Sequence, residues 1–199
     1  MNNFLIVIGI IGIISLPVNA QTKINANEDC IGDLCIYNKY LLETIVVKQY
    51  GIGNLSTELQ GEEHVHIYYD KFQKLWVRIE ASSHGYNDQF VIQVIYVSLL
   101  PMCKDTVLSK KPFPPLRLEK KLKIGLKESE VLSILGQPGK ISTLSNISDR
   151  YRVDTIPGQT EFFGSKVYYY SPAGEDSLLF YCIYFKNGIA TSFQLSCSE

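Results

Sequence analysis

Two histidines spaced two apart, His64 and His66, followed by Asp70, are the residues whose types come nearest to a reactive or ligating set. On an extended strand, residues i, i+2 and i+6 share one face, so two imidazoles and a carboxylate would project the same way. Imidazole and carboxylate are legitimate ligands for zinc or another transition metal. A solvent-facing polar strand gives the same spacing, and that plainer reading carries more weight than a metal-dependent enzyme at His64, His66 and Asp70. His84, in Ser83-His84-Gly85, has no partner in the sequence and reads as a loop histidine.

Other chemistries lack their patterns. No Gly-x-Ser-x-Gly elbow is present. Gly51-Ile52-Gly53 has neither a third glycine nor a following helix for a dinucleotide. No carboxylate pair suggests acid–base work, and no cofactor motif appears. The chain therefore reads as a non-enzyme without a cofactor. With 19 basic and 20 acidic residues it has no electrostatic footprint for nucleic acid.

The elements that would position these residues begin with Phe4–Leu16, a continuous apolar run followed by Pro17-Val18-Asn19-Ala20. It is shorter than the about 20 residues of a membrane span and ends in small residues, so residues 1–20 read as a cleaved signal peptide. No later run is long enough to span a membrane. Export to the periplasm or the extracellular space follows, with disulfides permitted. The five cysteines are an odd number, so at least one stays free or pairs between molecules. Cys30, Cys35, Cys103 and Cys197 are the disulfide candidates, and Cys182 reads as an inert core thiol. Asn54-Leu55-Ser56 and Asn146-Ile147-Ser148 are glycan acceptors if the source is eukaryotic.

The body divides into a first α+β unit (residues 21–104), a Pro-rich connector (105–123) and a second α+β unit (124–199). A helix within 37–50 precedes strands at 65–70, 74–81 and 89–98. A better-punctuated helix leads to Leu135, with Gly136 after it and Pro138 barring continuation. Strands at 166–171, 178–185 and 191–197 follow. The fold class is α+β, an antiparallel sheet packed with short helices, and the order suggests a tandem repeat of a helix-then-three-strands unit. Asn187-Gly188 predicts a two-residue hairpin turn. A regular register from there sets Cys182 opposite Phe193, with Leu178, Phe180 and Cys182 on the core side.

The segment Ile124–Lys140, with Gly125, Leu126, Val131, Leu135, Gly136 and Pro138, resembles the helix-opening pattern of the SmpA/BamE-like and β-lactamase-inhibitor-protein-like (BLIP-like) superfamily. The resemblance covers roughly residues 120–197 and implies antiparallel strands after the helix. It also implies a protein partner, either a secreted or periplasmic protein that is inhibited or an envelope-assembly machine. The 13 tyrosines exceed the needs of a small core. Alternation picks Trp76, Arg78, Tyr168, Tyr170 and Tyr181 as partner-binding residues on an open sheet face.

Overall fold

The computed structural model describes residues 30–31, 34–36, 41–58, 62–83, 89–103, 105–116, 122–143, 166–171 and 179–197. The signal peptide, His84 and Asn146 lie outside the described residues.

The chain is α+β. A two-stranded hairpin, β1 (Cys30–Ile31) and β2 (Leu34–Cys35), precedes helix α1 (Glu43–Tyr50). Four strands follow: β3 (Asn54–Glu58), β4 (Glu63–Asp70), β5 (Leu75–Ser82) and β6 (Val91–Ser98). Helix α2 (Glu128–Leu135) leads to four more: β7 (Lys140–Thr143), β8 (Lys166–Tyr170), β9 (Leu179–Lys186) and β10 (Ile189–Cys197). The eight strands β3 to β10 form one antiparallel sheet in the order β3-β4-β5-β6-β10-β9-β8-β7. Among the described residues four strands, not three, follow each helix. The additional ones, NLSTE and KIST, are polar edge strands without the alternation by which a strand is read.

Helix α1 contains the β-branched run Thr44-Ile45-Val46-Val47, a poor helix former by itself. Tertiary contacts hold it. Leu42 bridges Val91, and the Glu43 N–H donates to the Phe90 carbonyl at 3.0 Å. One turn apart, Val46 and Tyr50 are buried against the sheet, and Gly51 ends the helix with φ 90°. In α2, Val131 and Leu135 make the same buried pair. Glu130 Oε2 accepts the Lys127 N–H at 2.7 Å, which satisfies a donor at the helix start.

The main core lies between the helices and the sheet and includes Tyr68, Val77, Ile79, Ile95, Phe193 and Leu195. The opposite face is also buried. It holds a second cluster with Val65, Ile67, Trp76, Tyr96, Cys182 and Tyr184, to which Met102 and Cys103 from the segment after β6 belong.

The Asn187-Gly188 turn forms as the sequence predicts, with φ 53° and 74°. The register beyond it differs by one residue. Ala190 pairs with Phe185 but Ser192 with Tyr184, so Thr191 is a bulge. Cys182 consequently faces Gln194, not Phe193, and belongs to the second cluster. Tyr181, Ile183 and Phe185 occupy the helix side instead. A single extra residue exchanges the faces of a strand, because side chains alternate with period two. Gln93 makes the corresponding bulge in β6, where Ala81 pairs with Ile92 and Glu80 with Val94.

The segment 105–116 packs against the end of β4 and the C-terminal end of α1. Leu108 bridges Tyr69 in parallel, and Phe113 stacks on Tyr50 with ring centroids 3.9 Å apart. Cys30 and Cys35 form a disulfide; Cys103, Cys182 and Cys197 make none, so Cys103 and Cys197 are not disulfide partners.

Candidate functional site

Bringing α1 onto the helix side of β4 assembles the most reactive cluster among the described residues. Glu43 opens the helix. His64 and His66 stand on β4 with Ala81 and Ile79 as their cross-strand neighbours on β5. One carboxylate oxygen, Glu43 Oε1, lies 2.8 Å from His64 Nδ1 and 2.5 Å from His66 Nε2. His66 Nδ1 lies 2.7 Å from the Ile52 carbonyl. A carbonyl only accepts, so this nitrogen carries the proton, and Nε2 is the atom turned to Glu43. His64 is stacked on Phe90, with centroids 3.8 Å apart and rings nearly parallel. The side chain of His66 is 1% exposed, while those of Glu43 and His64 are 13% and 23% exposed, so the cluster has a buried floor and an open side.

The sequence places Asp70 with these histidines, and the structure separates them. Asp70 is fully buried further along β4, with its acceptors occupied. Its Oδ1 accepts the backbone N–H groups of Phe72 and Gln73, and its Oδ2 accepts Gln73 Nε2 and the Phe113 N–H. It is a structural carboxylate that ties the β4–β5 turn to the Pro-rich segment. Glu43 stands beside the histidines instead. Sequence reasoning missed it because it comes from a helix 21 residues before His64. The available signal was an acidic residue in the first turn of a helix preceding that strand.

The second half carries a cluster of the same build. Glu128 opens α2, and its carboxylate receives the Tyr168 hydroxyl in a short hydrogen bond and Lys166 Nζ at 2.9 Å. The tyrosine hydrogen bond first, then Lys166, hold the Glu128 carboxyl below its usual range. Burial first, then the bond and charge of Glu128, push Tyr168 up to about 12. Both helix ends are latched alike: the Tyr68 hydroxyl donates to the Gly51 carbonyl and the Tyr170 hydroxyl to that of Gly136.

None of the five residues chosen as open-face anchors stands exposed. Tyr168, Tyr170 and Tyr181 lie in the core beneath the helices. Trp76 and Arg78 lie on the opposite face, 7% and 5% exposed, with Arg78 Nε donating to Glu80 at 2.6 Å and its guanidinium over the Tyr96 ring. The alternation that selected them assumes one solvated face, and here both faces are covered. Burial also raises the Cys182 thiol to about 12, as suits an inert core position. The exposed large apolar residues are elsewhere. Of the seven exposed large apolar residues among those described, Phe72 (64%), Leu99 (44%) and Leu108 (50%) lie toward one end of the sheet, while Ile45, Ile52, Leu55 and Ile141 lie elsewhere. That end is set by the β4–β5 turn, the Trp76–Ser98 pair and the Leu108–Tyr69 bridge. No described helix is long and apolar enough to cross a membrane.

No family model, characterised protein or solved structure matches this chain.

Proposed function

We propose that the chain is an exported, non-enzymatic protein-binding module, built by duplication of a helix-and-four-strands unit and akin to the SmpA/BamE-like and BLIP-like proteins. The observation that carries the binding reading is the apolar end formed by Phe72, Leu99 and Leu108. Single exposed apolar residues are ordinary, but several at one end of a sheet mark a place where a partner removes surface from water.

Duplication is supported by matched detail. Leu42 bridges Val91 as Lys127 bridges Ile189, and the N–H groups of Glu43 and Glu128 reach the carbonyls of Phe90 and Gly188. The carboxylate clusters, the tyrosine latches and the bulges at Gln93 and Thr191 recur at matching positions. A bulge, a latch and a buried helix pair shared in one order support the duplication reading. The Cys30–Cys35 disulfide supports an oxidising compartment, in keeping with export.

The test is affinity capture from envelope and medium fractions with the chain beginning at Gln21 as bait. A soluble protein is expected at near-stoichiometric yield. It should be lost with Phe72→Ser or Leu108→Ser and kept with Ile141→Ser, an exposed residue on the far edge strand. Failure to retain any protein, or retention indifferent to Phe72 and Leu108, would overturn the reading.

A further inference from the structure

We infer that Glu43, His64 and His66 form a binding site for one divalent transition-metal ion of the zinc class. The inference is independent of the protein-binding proposal.

The Glu128 cluster provides the comparison within the molecule. There the carboxylate fastens its helix to the second strand of its half through an ammonium, which has no lone pair, and a protonated phenol, which is a poor ligand for a zinc-class ion. Docking a helix by a carboxylate therefore needs no histidine. In the first half both strand positions are imidazoles, the side chains that serve equally as hydrogen-bond donors and as ligands. One ligand atom from each of Glu43, His64 and His66 lies within 4.8 Å of the others.

The surroundings of His66 add a second argument. Its Nδ1–H is committed to the Ile52 carbonyl, so Nε2 turns a lone pair on Glu43 Oε1 unless a cation lies between them. A proton meets that need at the observed 2.5 Å. A metal ion meets it with the cluster slightly opened. Zinc bonds of about 2.0–2.1 Å in a tetrahedron put neighbouring ligand atoms about 3.3 Å apart. The spacings of 2.5 and 2.8 Å must widen by less than about 1 Å and the two imidazole nitrogens, within 4.8 Å of each other, must come to the same edge, movements of the size that side-chain rotation at a partly exposed glutamate and histidine supplies. A ring N–H held by a backbone carbonyl is also the usual support behind a metal-bound histidine, because it fixes the tautomer and the ring plane.

The donor set selects the ion class. Two imidazoles and one carboxylate suit zinc, cobalt, nickel or copper, whereas calcium and magnesium require more oxygen ligands. Three protein ligands with one open side leave a coordination position for water or for a group from a partner.

The experiment is titration of the chelator-stripped protein with Zn2+ by calorimetry, with Co2+ spectra read in parallel. One ion per chain is expected, with cobalt absorption of a nitrogen–oxygen site. His64→Phe keeps the ring stack on Phe90, so it preserves packing while deleting a ligand. It and Glu43→Gln should weaken binding by at least about tenfold. Glu128→Gln should bind zinc as the parent does. A thermal midpoint raised by zinc in the parent, and not in His64→Phe, reads the site without any activity assay. Sub-stoichiometric binding, affinity unchanged in His64→Phe, or a thiolate-to-cobalt charge-transfer band would overturn the assignment.

Discussion

Replacing Asp70 by asparagine isolates the polar role of a carboxylate that the sequence offers as a ligand. The two side chains are nearly isosteric, so no cavity opens. The amide oxygen in the Oδ1 position still accepts from the Phe72 and Gln73 N–H groups at 2.8 and 3.2 Å. The amide nitrogen then faces two donors, Gln73 Nε2 at 2.8 Å and the Phe113 N–H at 3.0 Å. Gln73 Nε2 retains the carbonyls of Phe113 and Pro114, so its loss is small. The Phe113 N–H is buried with no replacement acceptor at hand and carries a penalty of about 1–3 kcal/mol. Weakening the charge-assisted bonds at Oδ1 adds roughly 1 kcal/mol. The expected destabilisation is about 2–4 kcal/mol, or about 4–16 °C in Tm for a chain of this size. Urea unfolding should show the midpoint falling at constant slope. Amide exchange should show Phe113 losing protection ahead of the sheet. A Tm unchanged or raised would refute the reasoning, since it would mean that relief of the buried charge outweighs the four hydrogen bonds.

Two glycines with positive φ should separate strain from collision. Gly188→Ala has open space around the added methyl and should cost about 1 kcal/mol, whereas an alanine Cβ at Gly53 would lie 2.8 Å from Tyr68 Cε1 and 2.9 Å from the Ile67 carbonyl, so Gly53→Ala should cost clearly more by thermal melting. Alkaline titration followed at 295 nm should show late ionisation of Tyr168, Tyr68 and Tyr170, all raised chiefly by burial. Their folded pKa values lie above the ordinary tyrosine value of about 10, so the stability they contribute is intact below that pH and is lost as pH rises through the folded values, Tyr168 first at about 12; a single midpoint near 10 without unfolding would refute the burial. Glu128 has a depressed folded pKa, so its contribution is present above about pH 4.5 and fades as pH falls through the folded value. The stability gap between the parent and Glu128→Gln should therefore close in acid, and a gap independent of pH between 7 and 3 would contradict it.

The sequence by itself determined the local punctuation. Gly136 and Pro138 close α2, Asn187-Gly188 turns the last hairpin, and the alternation in residues 74–81 gives β5, because turn conformers and side-chain periods are set by near neighbours. It also placed His64 and His66 on one face. Tertiary structure decided the rest. The polar strands β3 and β7 exist because β4 and β8 pair with them, which no local pattern encodes. The bulge at Thr191 moved Cys182 to the other face and carried Tyr181 into the core, a one-residue slip that the register alone reveals. Burial of both sheet faces removed Trp76 and Arg78 from solvent. Glu43 met the histidines only when the bridge from Leu42 to Val91 docked α1 across β4, and Asp70 stands apart from them, its oxygens taken by donors of the β4–β5 turn and by the Phe113 N–H of the Pro-rich segment. Chemistry assembled from residues far apart in sequence depends on chain closure and packing, and spacing along a single strand could supply only two of its three members.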